Sequence, residues 1–160
     1  LILSKMHRIF IYSFLFFTID QLSKWLVVFY LQLSTKLNID LNNQFLNFHM
    51  AWNKGINFGL FESESLTQVY FLFLISVLIS LALFFWVRKT KNYAIQLSSA
   101  LVIGGAVGNA IDRLLYGSVA DFINLTCCGV KNPFSFNLAD VFIFIGIIGL
   151  IYFRFDEDID

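Results

Sequence analysis

Apolar residues in this chain come in long blocks separated by short polar stretches, and the block lengths predict membrane-crossing helices. Crossing a bilayer core takes about 20 apolar residues in a helix. The stretches 9–31, 66–87, 93–111 and 135–155 meet that requirement. The second carries no charge at all, the first contains Asp20 and Lys24, and the third is rich in small residues such as Gly104, Gly105, Ala106 and Gly108. Residues 32–65 and 112–134 form the two long connections. QFLNFHMAWN in the first alternates partly and is aromatic, which predicts short strands at the membrane surface. NKGINFG after it offers turn chemistry through Asn53, Gly55 and Gly59.

Lysine and arginine in short flanks set the orientation. Lys5 and Arg8 precede the first span, and Arg88, Lys89 and Lys91 fill the tight turn between the second and third. Four spans put both flanks and the C-terminus on one side, the cytoplasm, so the two long connections face outward. The expected fold is a single domain over 1–160: an all-α polytopic membrane protein with four transmembrane helices, both termini inside.

Composition agrees. The chain has 160 residues, 58% hydrophobic and 14% charged, against about a quarter charged in soluble domains. The formal net charge is zero, which gives no footprint for nucleic acid. Asp156, Glu157, Asp158 and Asp160 read as a solvated tail. Cys127 and Cys128 are adjacent, and His7 and His49 lie far apart, so no metal site is expected. The basic-then-apolar N-terminus imitates a signal peptide but lacks an A-x-A-like site, and a retained helix is expected, with Met6 as the candidate start.

Ionisable residues within spans are costly and are functional candidates by default. With the predicted topology, Asp20, Lys24, Asn109, Asp112, Arg113, Asp121, Asn137 and Asp140 all collect toward the outer leaflet, although they come from four segments. Each also has a plainer reading. Asp20 and Lys24 are spaced to form a helical ion pair. Arg113 at a span end can reach for headgroups, and Gly104-x-x-x-Gly108 favours close helix packing. Asn137-Leu138-Ala139-Asp140 has the form of a capping box.

Span length argues that capping is not the whole role of Asp140. Val141 to Phe153 covers only ~20 Å of a ~30 Å core, so the helix must recruit residues before Asp140 and carry the carboxyl below the interface. Asp121 lies nineteen positions earlier in its own apolar setting, with Gly129 and Pro133 between to fold the chain back. Two carboxyls brought close share a proton, and such a pair both activates water and protonates a leaving amine.

The chain resembles the signal peptidase II (lipoprotein signal peptidase) family along nearly its whole length. The resemblance rests on FTIDQLSKW around Asp20 and Lys24, NKGINFG around Asn53 and Gly55, GGAVGNAIDR ending at Arg113, VADF containing Asp121, and FNLAD ending at Asp140. It implies an aspartic endopeptidase of the bacterial inner membrane, monomeric, without cofactor, with its site toward the periplasm. Asp121 and Asp140 match the catalytic dyad. Asn109, Arg113 and Asn137 match polar residues lining the site, and Asp20, Lys24, Asn53, Gly55 and Asp112 match supporting positions. The implied substrates are diacylglyceryl-prolipoproteins cut before the lipidated cysteine, the implied inhibitor is globomycin, and membrane lipids surround the enzyme. The family also implies a small β-structured cradle in the first outer loop and a short periplasmic helix near the second. Asn57 stands where the family more often has a small residue, which touches the cradle's packing.

The competing class is a small transporter or proton relay built on the same charges. Four spans without repeat symmetry, and polar residues confined to one face, argue against it. A passive scaffold with capping and snorkelling acids is the third reading.

Overall fold

The computed structural model describes residues 2–41, 45–55, 66–126 and 132–157. Asn57, Gly59, the two cysteines, Gly129, Lys131 and the last three residues of the acidic tail lie outside this set. The protein is mostly helical with one small antiparallel sheet. Its elements run α1 (Ile2–Lys24), continued by one stretch of π-helix (Trp25–Tyr30), then α2 (Leu33–Lys36), β1 (Asn38–Ile39), β2 (Leu46–Asn53), α3 (Leu66–Val87), α4 (Tyr93–Tyr116), β3 (Val119–Leu125) and α5 (Leu138–Glu157). Among the described residues, Lys5–Tyr30, Leu66–Val87 and Tyr93–Tyr116 are helices long and apolar enough to cross a membrane.

The helix α4 is the hub, packing against α1, α3 and α5. Asn92 starts it by accepting hydrogen bonds from the amides of Ala94 and Ile95, the N-cap role for which asparagine is suited. Gly117, at φ 72°, ends it in the left-handed conformation. The close approach of its neighbours depends on missing side chains. A Cβ on Gly105 would sit 2.5 Å from the carbonyl oxygen of Ala139 on α5, and one on Gly108 would sit 2.5 Å from Oδ2 of Asp20 on α1. The glycine-rich stripe therefore does pack helices, and at Gly108 it also makes room for a carboxylate.

Three of the helices differ in their bounds from the hydropathy pattern, α1 by starting at Ile2 rather than at 9. α4 runs five residues past the expected 111, so Asp112 and Arg113 stand on the helix rather than in a loop. α5 begins at Leu138, not Ser135, and gains its length mainly at its C-terminal end, beyond Phe153. The reason is local: Asn137 caps the helix firmly and stops it from recruiting earlier residues.

The sheet corrects a larger expectation. Its order is β1-β2-β3, all antiparallel, so the third strand comes from the second long connection and the cradle is not confined to the first. β3 is buried on both faces along most of its length. Such a strand lacks the alternation that marks a half-buried one. Ala120 and Phe122 of β3 join Val27, Val28, Leu33 and Met50 in a core under the sheet, which anchors the strands to the end of α1. The short helix expected near the second outer loop has no counterpart among the described residues there; the four-residue α2 follows α1 instead.

Candidate active site

Asn137 sits at the junction of α5 and the sheet with no exposed surface. Its Oδ1 accepts from the Asp140 amide at 3.0 Å, and its own amide N–H donates to Asp140 Oδ2 at 3.2 Å. That is a reciprocal capping box. The side-chain nitrogen then does something a cap does not require. It donates to Asp121 Oδ1 at 2.6 Å and to Asn109 Oδ1 at 3.2 Å. Asn109 in turn donates from Nδ2 to Asp140 Oδ1 at 2.8 Å. Two asparagines thus link Asp121 on β3 to Asp140 in the first turn of α5.

The second oxygen of Asp121 is held from β2. Asn53 pairs with Val119 across the β2–β3 ladder, which makes Asp121 its diagonal neighbour. Its Nδ2 donates to Asp121 Oδ2 at 3.0 Å. The Asn53 amide is itself aimed by the Gly55 N–H, which donates to Asn53 Oδ1 at 2.9 Å. Gly55 has φ 96°, and a Cβ there would meet the Cδ1 end of Leu72 on α3. The backbone conformation calls for glycine, whereas the Leu72 side-chain end can move aside.

Asp121 is 2% exposed, whereas Asp140 is half-buried. Burial pushes the Asp121 carboxyl up to about 7, and the neighbouring Asp140 charge pushes the same way; the Asn53 and Asn137 hydrogen bonds pull against them. A carboxyl near neutrality both gives and takes a proton readily.

A second cluster lies behind the first. Lys24, buried in α1, donates to Asp20 Oδ2 at 2.8 Å, to Asp112 Oδ2 at 2.8 Å and to Asn109 Oδ1 at 3.1 Å. Asp20 Oδ1 accepts the backbone N–H of Ala139 at 3.0 Å, and Asp112 Oδ2 accepts that of Ala120 at 3.2 Å. Each carboxylate therefore grips the residue immediately before one of the two aspartates of the first cluster.

The predicted residues divide between the two networks. Asp121, Asp140, Asn109, Asn137 and Asn53, with Gly55 behind Asn53, form the first. Asp20, Lys24 and Asp112 form the second, joined to the first through Asn109. The polar triplet on α4 is split accordingly, since Asp112 turns toward α1. Arg113 folds back, donating from Nη1 to the Asn109 carbonyl at 3.3 Å, and its buried Nε has no hydrogen-bond partner among the described residues. It lies within electrostatic reach of Asp140, Asp121 and Asp112. Sequence reasoning passed over Gln21, which donates to both Asp20 and Asp112. Its position beside Asp20 was the only available signal. Among the described residues, no group of three His, Cys, Asp or Glu is arranged to hold a metal ion.

Comparison with known proteins gives a consistent result. Residues 12–155 match the family model of signal peptidase (SPase) II. The lipoprotein signal peptidase of Methylobacterium radiotolerans is 38% identical over 107 residues; the match spans 67% of this chain but 62% of that protein, less than two thirds of its length. The lipoprotein signal peptidase of Rhodopseudomonas palustris is 33% identical over 137 residues, 84% of this chain and 83% of that protein. A solved structure described as a bacterial membrane enzyme, obtained by the in meso method at 2.3 Å resolution, superposes with a TM-score of 0.74 at 28% identity, covering 95% of this chain and 90% of its own.

Proposed function

The chain belongs to the signal peptidase II family, and on that premise we propose that it is a membrane aspartic endopeptidase that removes signal peptides from diacylglyceryl-prolipoproteins, cutting before the lipidated cysteine. The observation that carries the reading is the pair Asp121 and Asp140, linked through Asn109 and Asn137, with the Asp121 carboxyl raised to about 7.

With its carboxyl raised to about 7, Asp121 is partly protonated near neutral pH. One carboxylate takes a proton from a water whose oxygen attacks the scissile carbonyl carbon. The protonated partner gives its proton to the carbonyl oxygen, producing a neutral gem-diol. Collapse of that intermediate breaks the C–N bond: the carboxyl that took the water proton passes it to the leaving amine, a gem-diol hydroxyl returns its proton to the other carboxylate, and the new carboxylic acid departs. The chemistry calls for no metal and no nucleophilic serine or cysteine. Asn53, Asn109 and Asn137 contribute by fixing where the carboxyl oxygens point, which is the entropic part of catalysis.

The protein is a single domain over 1–160 with four transmembrane helices, α5 being the fourth, and with both termini in the cytoplasm. Lys5 donates to the Thr90 carbonyl at 3.1 Å, so the two basic flanks meet at one end of the bundle, away from the aspartates. This arrangement favours the bacterial inner membrane with the aspartates toward the periplasm. Globomycin is the expected inhibitor, membrane lipids are the expected surroundings, and the expected working unit is a monomer.

The test is cleavage of a lipidated precursor by the purified protein, with and without globomycin. Cleavage that globomycin blocks supports the reading. A folded preparation that leaves the precursor intact contradicts it.

A further inference from the structure

Lys24 has three N–H donors, and Asp20, Asp112 and Asn109 take them all. Two carboxylates, 0% and 1% exposed, thus share one ammonium. Buried carboxylates are tolerated only when their lone pairs find donors, and one lysine cannot supply enough. The neutral amide of Gln21 completes the set. Its Nε2 lies 3.1 Å from Asp20 Oδ2, 3.0 Å from Asp112 Oδ1 and 3.3 Å from the carbonyl oxygen of Gly108.

The consequence is geometric. Lys24 alone joins Oδ2 of one carboxylate to Oδ2 of the other, a link about which both can pivot. Gln21 reaches Asp112 through its other oxygen, so that carboxylate is held at both ends. The frame then acts on the Ala139 peptide through Asp20 Oδ1, and on the Ala120 peptide through Asp112 Oδ2, the oxygen that also accepts from Lys24. Gln21 also lines a hollow of about 310 Å³ between α1 and α4, bordered by Thr18, Leu22, Trp25 and Tyr116 and by neither Asp121 nor Asp140.

We infer that Gln21 is a positioning residue: by bridging Asp20 and Asp112 it fixes the spacing of the Ala139 and Ala120 peptides, and through them the spacing of Asp140 and Asp121. The inference rests on the peptidase reading above.

The experiment uses the full chain with Gln21→Met, Gln21→Ser as a smaller second variant, Gln21→Lys, and Thr18→Val as a control in the same hollow. Three quantities are measured per folded enzyme: kcat and KM on a lipidated precursor, the pH profile, and an infrared titration of the protonated-carboxyl band assigned with Asp121→Asn. Loss of the bridging donors in the Met or Ser variant lowers kcat about tenfold, as expected for misplaced groups, leaves KM within about twofold, and displaces the carboxyl midpoint. Gln21→Lys, which restores donors, stays within about threefold of wild type, and Thr18→Val is unchanged. Wild-type kcat with an unmoved titration in the Met and Ser variants overturns the inference. So does a Lys variant no better than Met, or a raised KM at unchanged kcat. If the wild-type chain does not cut the precursor, it is the peptidase reading that fails, and the infrared titration still decides the role of Gln21.

Discussion

Asn137 and Asp121 are joined by a hydrogen bond of 2.6 Å, made by the same side chain that caps α5. One residue thus sets where a helix starts and where a carboxyl on another element points. The two tasks separate by substitution. Asn137→Ser keeps a good N-cap, so it is expected to be about 1 kcal/mol more stable than Asn137→Ala, both being less stable than wild type because the buried bond to Asp121 is lost. Both variants lose the bond to Asp121, and both are expected to fall about 10²-fold in kcat. Thermal denaturation and cleavage rates on the two proteins check this. A fully active Ser variant would reduce Asn137 to a cap.

Asn53 stabilises the ionised form of Asp121 through the 3.0 Å bond to Oδ2. Removing that donor leaves burial and the Asp140 charge unopposed on that side, so Asn53→Ala raises the Asp121 carboxyl further above about 7. The limb of the pH–rate profile that reports this group moves to higher pH. A profile that stays put or moves to lower pH contradicts the assignment.

The raised Asp121 carboxyl also leaves a mark on stability. Between 3.8 and about 7 the folded state binds a proton that the unfolded chain has released. Stability contributed by this group is therefore full below about pH 4 and is lost as pH rises through about 7. Asp121→Asn removes the dependence. The difference in Tm, variant minus wild type, should grow from pH 4 to pH 8 whatever its starting value. A flat difference across that range means that Asp121 titrates normally.

The long apolar helices were legible because their blocks match the thickness of a bilayer, and the aspartates stood out as candidates because a carboxyl in such surroundings needs a reason. N-L-A-D announced the capping box found at Asn137. Three things were hidden. β3 lacks alternation because it is buried on both faces, so the contribution of the second long connection to the sheet did not appear in the pattern. The triplet Asn109, Asp112 and Arg113 shares one helix face by spacing, but which neighbour each side chain meets depends on how α1 and α5 dock on α4. Gln21 is an ordinary polar residue until tertiary packing sets it between two carboxylates.

The central claim is that Asp121 and Asp140 act together on the scissile bond. Its most direct test is mass-spectrometric mapping of products from a lipidated precursor incubated with wild type, Asp121→Asn and Asp140→Asn, each verified as folded. The account predicts a single cut before the lipidated cysteine by wild type and a loss of at least about 10³-fold in rate for either variant. Near wild-type cleavage by either one would contradict it.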